Sequence, residues 1–173
     1  YIRTPGYFGH IELAKPVFYY QYLPTIIKLM KCVCVKCSKL LINKESNKEC
    51  MDMKPDERWT HVHHLASKIK RCGDDTQDGC GCLVPKKIKK ENLATLFAEW
   101  DGGDAGEESS KEKMNMKMTP EVVLKIFRRI SDEDVAFMGF SPQFSRPDWF
   151  ICQVLAIPPP AVRPSIKMDG NQR

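Results

Sequence analysis

The sequence predicts an α+β fold of irregular build, made of short helices, a helical hairpin and small antiparallel strands. Three observations predict it. TPEVVLKIFRRI (119–130) runs directly into SDEDVAFMG (131–139), two helix patterns with no linker between them. WFICQVLAI (149–157) is aromatic and branched throughout and is stopped by Pro158–Pro160, as a strand would be. Cysteines gather at close spacing in two distant stretches, KCVCVKCSKLL (31–41) and RCGDDTQDGCGC (71–82), so part of the fold is tied by side-chain chemistry.

The bulk numbers set the frame. A length of 173 residues suits one domain, or one domain with an appendage, and 42% hydrophobic with 28% charged residues is ordinary globular composition. No apolar run approaches the roughly 18 residues of a membrane helix, so no membrane role is expected. Net charge is +5, which permits contact with nucleic acid without demanding it. The chain starts at Tyr1 and ends on polar residues, so a fragment of something longer is expected.

In chain order, the Pro5-Gly6 turn precedes a short strand around Ile11–Leu13, with His10 read as a structural residue. In PVFYYQYLPTIIKLM (16–30), Pro16 and Pro24 break the run, and Thr25–Met30 forms a helical turn entering the cysteines. Phe18, Tyr19, Tyr20 and Tyr22 suit a packed core better than base stacking. Residues 44–56 read as loop, with Cys50 a free thiol. In ERWTHVHHLASKIK (57–70), Trp59, Val62, Leu65 and Ile69 recur at helical steps, and Pro55 stands just before. His61 and His64 are assigned to its solvated flank. Lys86, Lys87, Lys89 and Lys90 are read as a solvated strand or hairpin arm in preference to a phosphate-binding patch.

Residues 101–113 (DGGDAGEESSKEK) are low-complexity and acidic, and 101–118 is taken as a flexible loop. Beyond it the helix signals are the clearest in the chain. Thr119 caps, Pro120 takes the first helical position, and Val122, Val123, Ile126, Phe127 and Ile130 form one stripe. Ser131 with Asp134 resembles a capping box, and Gly139 ends the second helix. Cys152 reads as a small buried hydrophobe, and PPPAVRP as a stiff connector in preference to a polyproline ligand.

The cysteines carry the chemistry. Cys34 and Cys37 stand at C-x-x-C spacing, which lets two thiolates on one turn reach one ion at about 2.3 Å. Cys72, Cys80 and Cys82 are candidates for the other half, with Gly73, Gly79 and Gly81 allowing the backbone to fold closely. Spacing does not choose between Cys80 and Cys82, nor exclude Cys32. A disulfide framework is disfavoured by chain length, clustering and the apolar segments. The expectation is a structural zinc joining the two stretches. A four-thiolate zinc leaves no open position for substrate, and no catalytic constellation accompanies it: no phosphate-cradling glycine loop, no nucleophile turn and no H-E-x-x-H.

GYFGHIELAKPVF (6–18), CVCVKCSKLL (32–41), DGCG (78–81), TPEVVLKIFRRISDEDVAFMGF (119–140) and above all FSRPDWFICQVLAIPPPAVRPS (144–165) resemble, in the same order, the largest subunit of eukaryotic-type DNA-directed RNA polymerase, the polymerase II type being nearest. The resemblance implies a zinc-stabilised clamp domain beside the DNA cleft. It implies residues 1–100 as the zinc-binding clamp region and 119–173 as clamp core leading toward the lid. It implies Cys34, Cys37, Cys72 and Cys80 as the ligands of one structural zinc. It implies a nucleus-located nucleotidyltransferase as parent, whose catalytic magnesium is held elsewhere, and as partners the second-largest and other subunits, DNA template and RNA transcript. The fragment itself is expected to hold no catalytic residue.

One departure stands out. A second zinc site of the family ends in a C-P-G-H run, which here is Thr4-Pro5-Gly6-Tyr7, so one zinc per chain is expected. The substitution points toward a divergent source, such as a large DNA virus, where the location would be a viral factory or virion. Two other readings compete: a free-standing zinc adaptor that binds nucleic acid or protein, and a thiol redox protein built on Cys34 and Cys37. The redox reading needs the C-x-x-C to open a helix.

Overall fold

The computed structural model describes residues 6–100 and 114–166. Strand β1 (Gly9–Phe18) leads into helix α1 (Leu23–Cys32); α2 is Pro55–Ala66; strands β2 (Lys87–Lys90), β3 (Leu96–Trp100) and β4 (Met114–Met118) follow; α3 (Pro120–Arg128), α4 (Asp132–Phe137) and β5 (Ile151–Ile157) complete the order. Short 3₁₀ turns cover Tyr20–Tyr22, Lys48–Asp52 and Pro147–Phe150. The fold is thus mixed helix and strand, with short helices and two small antiparallel sheets, β1–β5 and β2–β3–β4.

β1 is longer than the Ile11–Leu13 strand read from sequence. It runs through Pro16, and its pairing with β5 slips between Glu12 and Val17. The irregularity absorbs the proline, which cannot donate to a ladder. Opposite it, β5 starts at Ile151, because Trp149 and Phe150 belong to the preceding 3₁₀ turn. Helix α1 includes Pro24 in its first turn, where a missing N–H costs nothing. Helix α2 begins on Pro55 and stops at Ala66, four residues short of the expected end.

The α3 and α4 starts follow their capping signals. Thr119 Oγ1 accepts from Val122 N–H at 3.5 Å, and Ser131 Oγ from Asp134 N–H at 3.2 Å. Val123, Ile126, Phe127 and Ile130 are buried as the stripe requires. Gly139 leaves α4 at φ +97, packed against the Pro55 carbonyl.

Two expectations are corrected. Met114–Met118, assigned to the loop 101–118, form a strand paired with β3; residues 101–113 lie outside the described residues. Of the aromatic group, Phe18 is buried, but Tyr20 is 66% exposed and Tyr22 41%, so the tyrosines do not fill the core. Lys90 Nζ stands 5.1 Å from the Tyr20 ring centre, a cation–π arrangement.

The main core joins α1 (Ile26, Leu29, Met30), α2 (Val62, Ala66), α3 (Val123, Phe127) and the inner face of the three-stranded sheet (Leu96, Ala98, Met118). Cys34, Leu41 and Cys72 form a second, smaller apolar cluster flanked by Val84 and by Ile69, which also packs against the main core. Because β1 from the start of the chain pairs with β5 near its end, the segments on either side of residues 101–113 share one structure.

Candidate metal centre

The small cluster is built from two tight turns. α1 delivers the chain to Cys32, after which Val33 is extended and bridges Leu40. Cys34 N–H donates to Lys39 O and Ser38 N–H to Cys34 O, both at 2.9 Å, closing a turn around Cys34–Cys37. Ser38 sits at φ 60, a left-handed position that non-glycine residues seldom take. The second turn mirrors the first. Cys72 N–H donates to Cys82 O at 2.8 Å and Gly81 N–H to Cys72 O at 2.9 Å, with Arg71 bridging Leu83. Gly73 (φ +104) and Gly81 (φ +74) supply the left-handed positions that the reversal needs.

Polar contacts bind the turns to each other. Lys39 Nζ donates to both the carbonyl and a carboxylate oxygen of Asp78 at 2.9 Å. Asn43 N–H donates to Asp75 Oδ2 at 2.7 Å. No local sequence signal announces either pairing, since each spans more than thirty residues.

The turns bring the thiols of Cys34, Cys37, Cys72 and Cys80 together, every sulfur within 4.8 Å of every other. Cys34 and Cys80 sulfurs are 3.4 Å apart, and those of Cys37 and Cys72 are 3.6 Å apart. Both spacings are too long for a disulfide, and all eight cysteines are free. They lie just under the roughly 3.8 Å that separates four sulfurs each about 2.3 Å from one tetrahedral ion. These four residues could therefore hold one metal ion.

Their electrostatics suit that use. Burial raises the Cys34 thiol, and backbone N–H groups of Cys37 and Lys36 oppose it. Burial pushes Cys72 up to about 11, against a bond from the Cys80 N–H. Cys80, exposed at the rim, is lowered to about 6, chiefly by the Cys82 N–H. Each of these N–H groups stabilises a thiolate, the form that binds metal.

The other candidates fall elsewhere. Cys82 contributes its backbone to the second turn, and its half-buried thiol lies outside the group of four. Cys32 points into the main core, where burial pushes its thiol up to about 12. Cys50 is buried in the Lys48–Asp52 turn, its carbonyl accepting from Arg58. Cys152 is buried in β5. His10 is exposed on β1, and His61 and His64 on α2 lie outside the thiol cluster. Cys34 and Cys37 follow a helix C-terminus and do not open a helix, which removes the premise of the redox reading. No helix is long and apolar enough to cross a membrane among the described residues.

A family model described as RNA polymerase Rpb1, domain 1, matches residues 1–173. The match spans both cysteine turns, the α3–α4 pair and the β1–β5 ribbon, the segments that build the fold around the thiol cluster. The chain belongs to this family and is the N-terminal region of an RNA polymerase largest subunit.

Proposed function

We propose that the chain is the clamp of a DNA-directed RNA polymerase, and that one structural zinc held by Cys34, Cys37, Cys72 and Cys80 fixes its shape. The observation that carries the reading is the meeting of four thiols from segments up to 46 residues apart. Four soft sulfurs gathered within 4.8 Å of one another suit zinc, and a closed four-sulfur shell leaves no position for water or substrate. The zinc's part is to cross-link the two turns. The fragment does no phosphoryl transfer; that belongs to magnesium held elsewhere in the parent subunit. Its partners are the second-largest subunit, other polymerase subunits, the DNA template and the RNA transcript, and its place is the nucleus, or a viral factory or virion if the source is a large DNA virus.

The test is zinc content of the purified chain by atomic emission. One zinc per chain is expected, with loss in Cys34→Ser and Cys72→Ser and retention in Cys50→Ser. Full zinc and unchanged folding in Cys34→Ser would overturn the site.

A further inference from the structure

We propose that the outer face of the β2–β3–β4 sheet is a platform for single-stranded nucleic acid, with one base stacked on Phe97 and the neighbouring phosphates held by Lys87 and Lys117. This deepens the clamp reading and rests on it only for the source of the strand.

The register sets the arrangement. Phe97 pairs with Lys89 on one side and Lys117 on the other, so the three form one row across the sheet. The adjacent row is Lys87, Glu99 and Asn115. Side chains alternate between faces, and the opposite set, Ile88, Leu96, Ala98 and Met118, is buried in the main core. The six residues of the two rows therefore share the face turned away from that core. Phe97 is their one apolar member, is half-buried, and is not part of the core cluster.

Charge favours a polyanion. Three lysines stand on this face against one carboxylate, and Lys89 Nζ already engages Glu99 Oε1 at 2.7 Å. Lys87 and Lys117 are exposed on the two outer strands. Strands lie about 4.8 Å apart, so lysines on either side of the ring are placed to reach phosphates flanking a single base. An aromatic ring between cations is the arrangement that binds single strands without sequence preference. A duplex cannot use it, because its bases are already stacked. An acidic peptide offers charge but no π-face to the ring. A purely structural role, in which lysine stems cover the ring, predicts no dependence of binding on Phe97.

The test is fluorescence anisotropy of the zinc-loaded 173-residue chain with labelled oligothymidylate, with metal content measured for every variant. Phe97→Ala should weaken binding about tenfold, within the range for loss of one base–aromatic stack, and Phe97→Trp should restore it. Lys87→Gln and Lys117→Gln should each lower the salt dependence by about 0.7 in the log–log slope. Equal binding by Phe97→Ala, equal affinity for a duplex of the same length, or displacement of the strand by a polyglutamate peptide equally well from wild type and Phe97→Ala would overturn the proposal. So would absence of binding by folded, zinc-loaded wild type, which would leave the zinc-stabilised clamp reading standing.

Discussion

Gly79 packs against Gly73 so closely that a β-carbon on Gly79 would overlap the backbone nitrogen and α-carbon of Gly73. Gly73 is itself left-handed, at φ +104. The contact lets the chain double back between Cys72 and Cys80 and aim both sulfurs inward. Gly79→Ala must push the two strands of the turn apart, and neither side can yield because both are backbone. We expect metal affinity to fall about 10- to 100-fold, as for loss of a group that orients ligands. Gly81→Ala serves as the comparison: nothing stands within 4 Å of its β-carbon position, so its cost is confined to φ +74. Competition with a chromogenic chelator measures both. Equal affinities for the two variants would show that the Gly73–Gly79 contact does not position the ligands.

Arg58 holds α2 to its surroundings without a carboxylate. Its guanidinium donates to the carbonyls of Cys50, Met51, Met53 and Ala136, at 2.9, 3.0, 3.1 and 3.1 Å. Arg58→Met keeps much of the stem but orphans these acceptors. The expected loss is about 2 kcal/mol, read as a lower denaturation midpoint at unchanged slope. Arg58→Lys should recover less than half, since a point charge lacks the planar fork. A midpoint for Arg58→Met equal to wild type would mean that water replaces all four bonds.

The parts legible in the sequence are those fixed by neighbours along the chain. Thr119 and Ser131 cap the helices that their own hydroxyls start, so local reading found both ends. The β1–β5 pairing joins Gly9 to Ile157, and no local pattern encodes that partner. Pro16 looked like a break because its missing donor is visible in sequence, whereas the irregular pairing that tolerates it is not. Met114–Met118 did carry a signal, since Met alternates with Asn and Lys at a period of two; the acidic run before it masked the strand. In the cysteine cluster, residue spacing left Cys32, Cys80 and Cys82 open. What separates them is position in the fold: Cys32 packs in the main core, and of the neighbours on either side of the left-handed Gly81 only Cys80 joins the group of four thiols.

His63 links stability to pH. Burial lowers its pKa, and Lys28 and Lys31 from α1, with His64 beside it on α2, add to the effect. Its Nε2 is buried with no hydrogen-bond partner. The folded state therefore prefers the neutral ring. Near neutral pH this carries no penalty. As pH falls through the unfolded value of about 6.5, the unfolded chain takes up a proton that the folded chain resists, and stability declines until the lower folded value is passed. His63→Gln cannot titrate. Denaturation midpoints at saturating zinc should fall more for wild type than for His63→Gln between pH 7 and 5.5. Parallel declines would assign the acid sensitivity to other groups, with the thiolates first among them.

Removing the metal should separate the two apolar clusters. Cys34, Leu41 and Cys72 bury too little apolar surface to hold two turns together, whereas the main core draws on four helices and both sheets. A structural zinc contributes on the order of 10 kcal/mol to a site of this kind, far more than the small cluster offers. Chelation followed by hydrogen exchange should expose the amides of Cys34, Ser38, Cys72 and Gly81, which close the two turns. The Val123 amide, bonded to Thr119 O at the start of α3, should keep most of its protection because its neighbours pack in the other cluster. Loss of both sets together would make the metal a condition of the whole fold. Protection of the turn amides after complete metal removal would mean that the glycine contacts and the Lys39–Asp78 pair suffice, and that the four thiols are not a structural metal site.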